Sequence, residues 1–179
     1  MNNAQEGLTA AILTVSDRCA AGLQRDESGP ALASLLAARW PALHVAESAV
    51  VADEVSAIQA VVQRWVDGGI ALILTTGGTG FAPRDTTSEA VRPLLDRETP
   101  GLAHAMLSAS LAVTPHAMLS RPVAGIRAQS LIVTLPGSPK GATENLTAIL
   151  PALPHGLRLL REVGEESTRH KIDEPRGVG

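Results

Sequence analysis

Aromatic side chains are scarce in this 179-residue chain: they make up 2% of it, with no Tyr, one Phe and two Trp. Proteins that grip single-stranded nucleic acid stack bases on aromatic rings along a basic groove. An excess of positive charge is lacking too, since 15 Lys and Arg stand against 18 Asp and Glu for a net charge of −3. No nucleic-acid partner is expected. Cysteine is reduced to Cys19, so no internal disulfide can form. That excludes a disulfide-built secreted scaffold and points to a reducing, cytoplasmic setting. No apolar run approaches the ~20 residues of a membrane-spanning helix. The polar start, Met1 to Gly7, lacks the basic-then-apolar pattern of a secretory leader. The five histidines have no metal-ligand spacing, which argues against zinc. Ser16 and Ser120 lie outside a Gly-x-Ser-x-Gly setting, so no nucleophilic serine is indicated.

What is present is a globular composition, 45% apolar and 18% charged. A single domain of this length hides roughly 70% of its unfolded surface, enough for a core without staples. Apolar runs alternate with segments of helical period. Leu8 to Val15 reads as a buried strand. Ser28-Gly29-Pro30 opens a helix with Ser28 as N-cap, carrying Leu32, Leu35, Leu36 and Trp40 and ended by Pro41. Val45 to Val51 is a second strand. Asp53 is a candidate N-cap for a helix with Val55, Ile58, Val62 and Trp65 on one face, stopped by Gly68-Gly69. Ile70 to Leu74 is a third strand, and Thr86 with Glu89 spells a capping box for a short helix to about Leu95. Thr99-Pro100 starts a further helix with Leu102, Met106 and Leu107. Ser130 to Leu135 is the last strand. A helix beginning at Lys140 or Gly141 follows, then a kinked or separate one over Pro151 to Val163. Strands alternating with helices predict an α/β fold, three layers with a mostly parallel central sheet. Residues 1–164 are expected to form one domain and 165–179 a mobile tail.

Ligands of such sheets bind beyond the carboxyl ends of the strands. Three loops placed there are rich in Gly, Ser, Thr and Asp: Ser16-Asp17-Arg18, Thr75 to Asp85, and Pro136 to Lys140. Glycines at 77, 78 and 80 let the backbone approach an anion and turn its N–H groups toward it, and Thr76 and Thr79 offer hydroxyls. The loop is neither a Walker A nor a Rossmann fingerprint, and a plain tight turn is the competing reading. Asp85 either complements a helix dipole or binds Mg²⁺ beside a phosphate, since Mg²⁺ is held by one or two carboxylates plus substrate phosphates. Asp53 has the same two readings. Lys140 sits at a helix N-terminus, where a cation is unfavourable unless an anion binds there. Arg84 and Arg121 raise the same expectation, and Arg18 could reach a phosphate or pair with Asp17.

These segments, taken together, resemble the molybdenum-cofactor-biosynthesis proteins of the MogA/MoaB type, which include the G domain of gephyrin. The matches are Thr14-Val15-Ser16-Asp17-Arg18, then Thr75 to Gly80 with Arg84-Asp85 and Thr87, then Pro100-Gly101, Ser120-Arg121 and Pro136 to Lys140. They fall in family order over Leu8 to Val163. The resemblance implies a homotrimer of three-layer α/β subunits. It implies molybdopterin adenylyltransferase activity, in which Mg²⁺-ATP and molybdopterin give adenylylated molybdopterin and pyrophosphate. It places the acidic, metal-binding pair at Asp53 and Asp85 and the nucleotide-phosphate loop at Thr76, Gly77, Gly78, Thr79 and Gly80. Molybdopterin contacts fall at Ser16, Asp17, Arg18, Ser120, Arg121, Pro136, Gly137, Ser138, Pro139 and Lys140. A partner protein for molybdenum insertion is a further implication. The alternative is a non-catalytic trimer of the MoaB type that binds or carries the pterin.

Overall fold

A computed structural model describes residues 7–169, with side chains as far as Arg161. The elements run in the order β1 (Thr9–Val15), α1 (Asp17–Ala20), α2 (Ser28–Arg39), β2 (His44–Val51), α3 (Val55–Asp67), β3 (Leu72–Thr76), α4 (Thr87–Val91), β4 (Arg97–Glu98), α5 (Pro100–Leu111), β5 (Ala124–Arg127), β6 (Ser130–Leu135), α6 (Pro139–Ile149) and α7 (Leu153–Arg169). They build one six-stranded sheet, ordered β2-β1-β3-β6-β5-β4. The first four of these strands are parallel, and β5 and β4 add an antiparallel edge.

Side chains on a strand alternate between faces, and the core divides accordingly. Ala10, Ile12, Leu72, Leu74, Val133 and Leu135 pack with Leu32, Leu36, Met106, Leu146 and Leu157 from α2, α5, α6 and α7. Ala11, Leu13, Val15, Ile73 and Ile132 face the other way, onto Ile58, Val62 and Trp65 of α3 and Ala90 and Val91 of α4. The result is three layers, helices on both faces of a mostly parallel sheet, as the alternation predicts. Burial on both faces is why β1, β3 and β6 read as unbroken apolar runs. Among the described residues, no helix is long and apolar enough to cross a membrane.

The chain leaves β1 through α2 on one face to reach β2, then returns through α3 on the other face to β3, on the far side of β1. Connections therefore diverge beside β1, and the strand ends there open a crevice.

Several boundaries differ from the sequence reading. The third strand starts at Leu72 rather than Ile70, because the Ile70 N–H is still bonded to the Trp65 carbonyl at the end of α3. Ser28 is not the cap of α2 but its first residue; the Asp26 carboxylate accepts from the Ser28 and Gly29 N–H groups, both at 3.1 Å. Asp53 does not cap α3, which follows Glu54. The capping box at Thr86 and Glu89 does not form: Thr86 makes no cap bond and Glu89 pairs with Arg121. Pro93 turns the end of that helix into a 3₁₀ turn, Arg92–Leu94. No sequence pattern marks the short β4 and β5 strands. The helix expected over 151–163 is α7, separate from α6 and continuing to Arg169. It carries the first five residues of the expected tail, and 170–179 lie outside the described residues.

Candidate functional site

Two clefts open at the carboxyl ends of the central strands. One, of about 590 Å³, lies over β1, β2 and β3 and is walled by Ser16, Asp17, Arg18, Asp26, Ser28, Asp53, Thr76, Gly77 and Pro139 among others. The other, of about 660 Å³, runs toward α5 and is walled by Thr79, Gly80, Ser110, His116, Ser120, Pro136, Lys140, Glu144 and Asn145 among others. Gly78, Asp85, Gly137 and Ser138 belong to both. The glycine loop and the loop after β6 thus form a low ridge between two neighbouring basins.

The ridge is tied down from several directions. Gly77 and Gly78 have φ of +102° and +65°, the left-handed region that favours glycine. A Cβ on Gly77 would collide with the Val15 carbonyl, and one on Gly78 with Thr87 Oγ1. The Gly77 N–H donates to the Leu135 carbonyl at 3.1 Å, and the Thr87 N–H to the Gly78 carbonyl at 3.0 Å. Thr76 Oγ1 donates to the Pro136 carbonyl at 2.6 Å, so this hydroxyl secures the neighbouring loop instead of facing a phosphate. Ser28 Oγ donates to the Gly137 carbonyl at 2.6 Å. Ser138 caps α6, its Oγ accepting from the Gly141 N–H at 3.1 Å.

The two aspartates line the same basin, Asp53 beside Gly78 and Asp85 beside Gly80 of the glycine loop. Asp53 and Asp17 exchange bonds: the Asp17 N–H donates to Asp53 Oδ2 at 2.7 Å, and the Asp53 N–H to Asp17 Oδ1 at 3.0 Å. Asp53 Oδ1 turns to the loop, 3.1 Å from where a Gly78 Cβ would stand. Asp85 Oδ2 accepts from the Ala82 N–H at 2.8 Å and lies 2.8 Å from a Gly80 Cβ position. One oxygen of each carboxylate is therefore committed; the other accepts no hydrogen bond among the described residues. Burial raises the Asp53 pKa; the Asp17 N–H lowers it, and the Asp17 and Asp85 charges raise it again. Asp17 is lowered by its hydrogen bond to Arg84 and by the Asp53 N–H.

The arginines do not behave as expected. Arg18 is exposed in the smaller cleft and does not pair with Asp17, whose partner is Arg84. Arg84 binds two carboxylates, those of Asp17 and Glu54, in place of an anion. Arg121 walls neither cleft. Its guanidinium is spent on the Gly80 carbonyl at 2.9 Å, the Asp85 carbonyl at 2.7 Å and Glu89, so it braces the 80–85 loop from behind. Lys140 is exposed on the larger cleft, with Nζ 3.9 Å from Glu144 Oε1. The residues expected on one pterin surface are thus divided: Ser16, Asp17, Arg18 and Pro139 on the smaller basin, Ser120, Pro136 and Lys140 on the larger, Gly137 and Ser138 between them.

Two polar residues of the site, Asp26 and Asn145, have no place in the sequence reading, and Thr14 enters it only as part of a motif. Thr14 Oγ1 donates to Asp26 at 2.8 Å, and Asp26 holds the start of α2, which delivers Ser28 to Gly137. Buried Asn145 donates to Ser110 Oγ at 2.6 Å in the larger cleft. Only Asp26 carried a signal, an acidic residue two positions before Ser-Gly-Pro.

Residues 11–155 match the family described as "Probable molybdopterin binding domain". The chain belongs to this family, of the MogA/MoaB type. Within it, the chain is 46% identical over 172 residues to gephyrin of Dictyostelium discoideum, covering 91% of this chain but 24% of that protein. It is 40% identical over 143 residues to the molybdopterin adenylyltransferase of Haemophilus influenzae, covering 79% of this chain and 73% of that one. The solved structure of the molybdopterin biosynthesis enzyme MoaB from Thermus thermophilus superposes with a TM-score of 0.81 at 51% identity, covering 86% of this chain and 96% of that one. The chain spans about a quarter of the gephyrin relative and 26% of a second, the cinnamon protein of Drosophila melanogaster. In this MogA/MoaB-type chain Gly77, Gly78, Asp53 and Asp85 lie where the strand connections diverge.

Proposed function

We propose that this chain is a molybdopterin adenylyltransferase of molybdenum cofactor biosynthesis, using ATP to adenylylate the terminal phosphate of molybdopterin and releasing pyrophosphate. One observation carries the reading. Two basins, each large enough for a small ligand, adjoin across Gly78, Asp85, Gly137 and Ser138, so that two bound molecules can touch at that ridge. Relatives that carry the adenylyltransferase name support the chemistry.

In this reading a terminal phosphate oxygen of molybdopterin attacks the α-phosphorus of ATP. The new P–O bond forms as the bond to pyrophosphate breaks. Both reactants are anions, and the chain's part is to hold them in line and offset their charge. The Gly77 N–H is committed to Leu135, and the N–H groups of Gly78, Thr79 and Gly80 are left to stabilise the oxygens of the transferring phosphorus. Lys140, exposed beside the ridge, offers a cation to a phosphate in the larger basin. Asp53 and Asp85 fit a hard divalent cation: each leaves one carboxylate oxygen without a hydrogen bond, and a two-carboxylate set completed by phosphates suits Mg²⁺. When bound there, Mg²⁺ supplies charge neutralisation at the phosphates.

We further place the enzyme in the cytoplasm, in keeping with its single cysteine, as a homotrimer that passes its product to a molybdenum-insertion protein. Exposed Val113, Met118 and Leu119, beside the larger cleft, offer apolar surface for subunit contact. Pyrophosphate release with ATP, Mg²⁺ and molybdopterin, each omitted in turn, tests the function. Release only with all three is expected. Tight pterin binding without release favours the carrier reading.

A further inference from the structure

The Arg84 side chain lies outside both basins yet joins the elements that bear the two aspartates. Its Nε and Nη2 bind Asp17 Oδ2 and Oδ1 at 3.0 and 2.9 Å, and its Nη1 binds Glu54 Oε1 at 2.8 Å. Each partner is one step from the acidic pair. Arg84 is the chain neighbour of Asp85, Glu54 is the chain neighbour of Asp53, and Asp17 exchanges two backbone–carboxylate bonds with Asp53. One guanidinium therefore closes a ring through the start of α1, the end of β2 and the 80–85 loop. Each loop without this tie is anchored on its own side, Asp85 by Arg121 and Asp53 by Asp17. Nothing else in the described hydrogen-bond network joins the 84–85 segment to the 53–54 segment, apart from a 3.4 Å contact from Thr86 Oγ1 to the Asp53 carbonyl.

We infer that Arg84 is a positioning residue: by tying Asp17 and Glu54 to its own loop, it fixes the separation of Asp53 and Asp85 and thereby how tightly the pair takes a divalent cation. The inference rests on the cation reading given above. The role is geometric more than energetic. All three side chains are about half exposed, and exposed ion pairs add little stability. A planar fork, in contrast, sets both distance and angle, and the point charge of a lysine does not. Partners that orient metal-binding carboxylates without touching the metal typically change affinity by about 10- to 100-fold when removed.

The test is binding of Mn²⁺ alone to the intact chain, read from the electron paramagnetic resonance signal of the free ion, with circular dichroism and thermal melting as checks of folding. The parent protein binds Mn²⁺ and Asp53→Asn does not. Arg84→Gln is expected to weaken binding by about tenfold with little change in melting. Arg84→Lys stays weak because it restores the charge without the fork. Arg92→Gln, which breaks a comparable 2.8 Å pair with Glu98 away from both clefts, tracks the parent. Parent-like Mn²⁺ binding in Arg84→Gln overturns the positioning role alone, as does normal Mn²⁺ binding with weakened ATP binding, which makes Arg84 a phosphate ligand. A parent protein that binds no Mn²⁺ overturns the cation reading and this inference with it. If Arg84→Gln fails to fold, Glu54→Gln decides, and unaltered Mn²⁺ binding there overturns the inference.

Discussion

Asp53 illustrates how one side chain can cost stability and serve a site. Burial raises its pKa above the ordinary carboxylate value, so the folded chain holds this proton more tightly than the unfolded chain does. Stability from this group is present at low pH and is lost as pH rises through the folded pKa. Asp53→Asn removes the partly buried charge and keeps an oxygen for the Asp17 N–H. It is expected to melt at or above the parent temperature at pH 7, with the difference closing toward pH 4. Adenylylation in the same variant is expected to fall by about 100-fold or more, the scale of losing one preorganised electrostatic group. A melting series across pH, set beside a pyrophosphate assay, separates the two effects. Asp85→Ala is expected to lose turnover on the same scale, and its Ala82 N–H also loses an acceptor. Both aspartates stand out in the sequence as candidates, but their bonding does not. A helix-start rule looks a few residues ahead, whereas Asp53 is held by Asp17, 36 residues back in the chain. The same rule fails at Ser28, whose hydroxyl is bound to Gly137, 109 residues away.

At the scale of elements, the Ser28 bond latches α2 to the loop after β6. Ser28→Ala leaves the Gly137 carbonyl without this partner and is expected to cost about 1 kcal/mol of stability, measured by urea unfolding. The β5–β6 hairpin carries a second local device. Its two-residue turn puts Ala128 at φ +50°, a conformation that favours glycine. Ala128→Gly is expected to stabilise the chain by up to about 1 kcal/mol through relief of that strain. Asp96 supports this turn, accepting from the Ala128 N–H at 2.8 Å and pairing with Arg127 at 2.6 Å. These contacts lower its pKa, the Ala128 bond most. A lowered carboxylate contributes stability above its unfolded pKa and loses it as pH falls through the folded one. Asp96→Asn is therefore expected to flatten the acid limb of melting temperature against pH below about 4. The buried parallel strands were readable as apolar runs bounded by turn residues. The β4–β5 edge was not, since two and four residues are too few to show an alternation, and Gly125 interrupts it.

Over the whole molecule, the sheet order explains why distant motifs converge. The connections that leave neighbouring β1 and β3, through α2 and α4, go to opposite faces and open a crevice at the carboxyl ends of these strands, into which the glycine loop, both aspartates and the loop after β6 all open. That convergence followed from alternating strands and helices alone. The division into two basins did not, because the larger one depends on how α5 and the segment after it stand against the loop after β6, which helical spacing within α5 does not encode. The apolar residues Val113, Met118 and Leu119 give a further expectation at this scale. If the proposed homotrimer forms through them, Met118→Glu is expected to shift the assembly from trimer to monomer by sedimentation equilibrium, with native circular dichroism retained.

The most direct measurement follows the adenylyl group itself. ATP labelled at the α-phosphorus is incubated with the protein, Mg²⁺ and molybdopterin, and small molecules are separated from protein. Direct transfer across the ridge predicts that the label moves into a species co-eluting with the pterin, with unlabelled pyrophosphate released and no label on the chain. Label retained in ATP, or attached to the protein, contradicts the account.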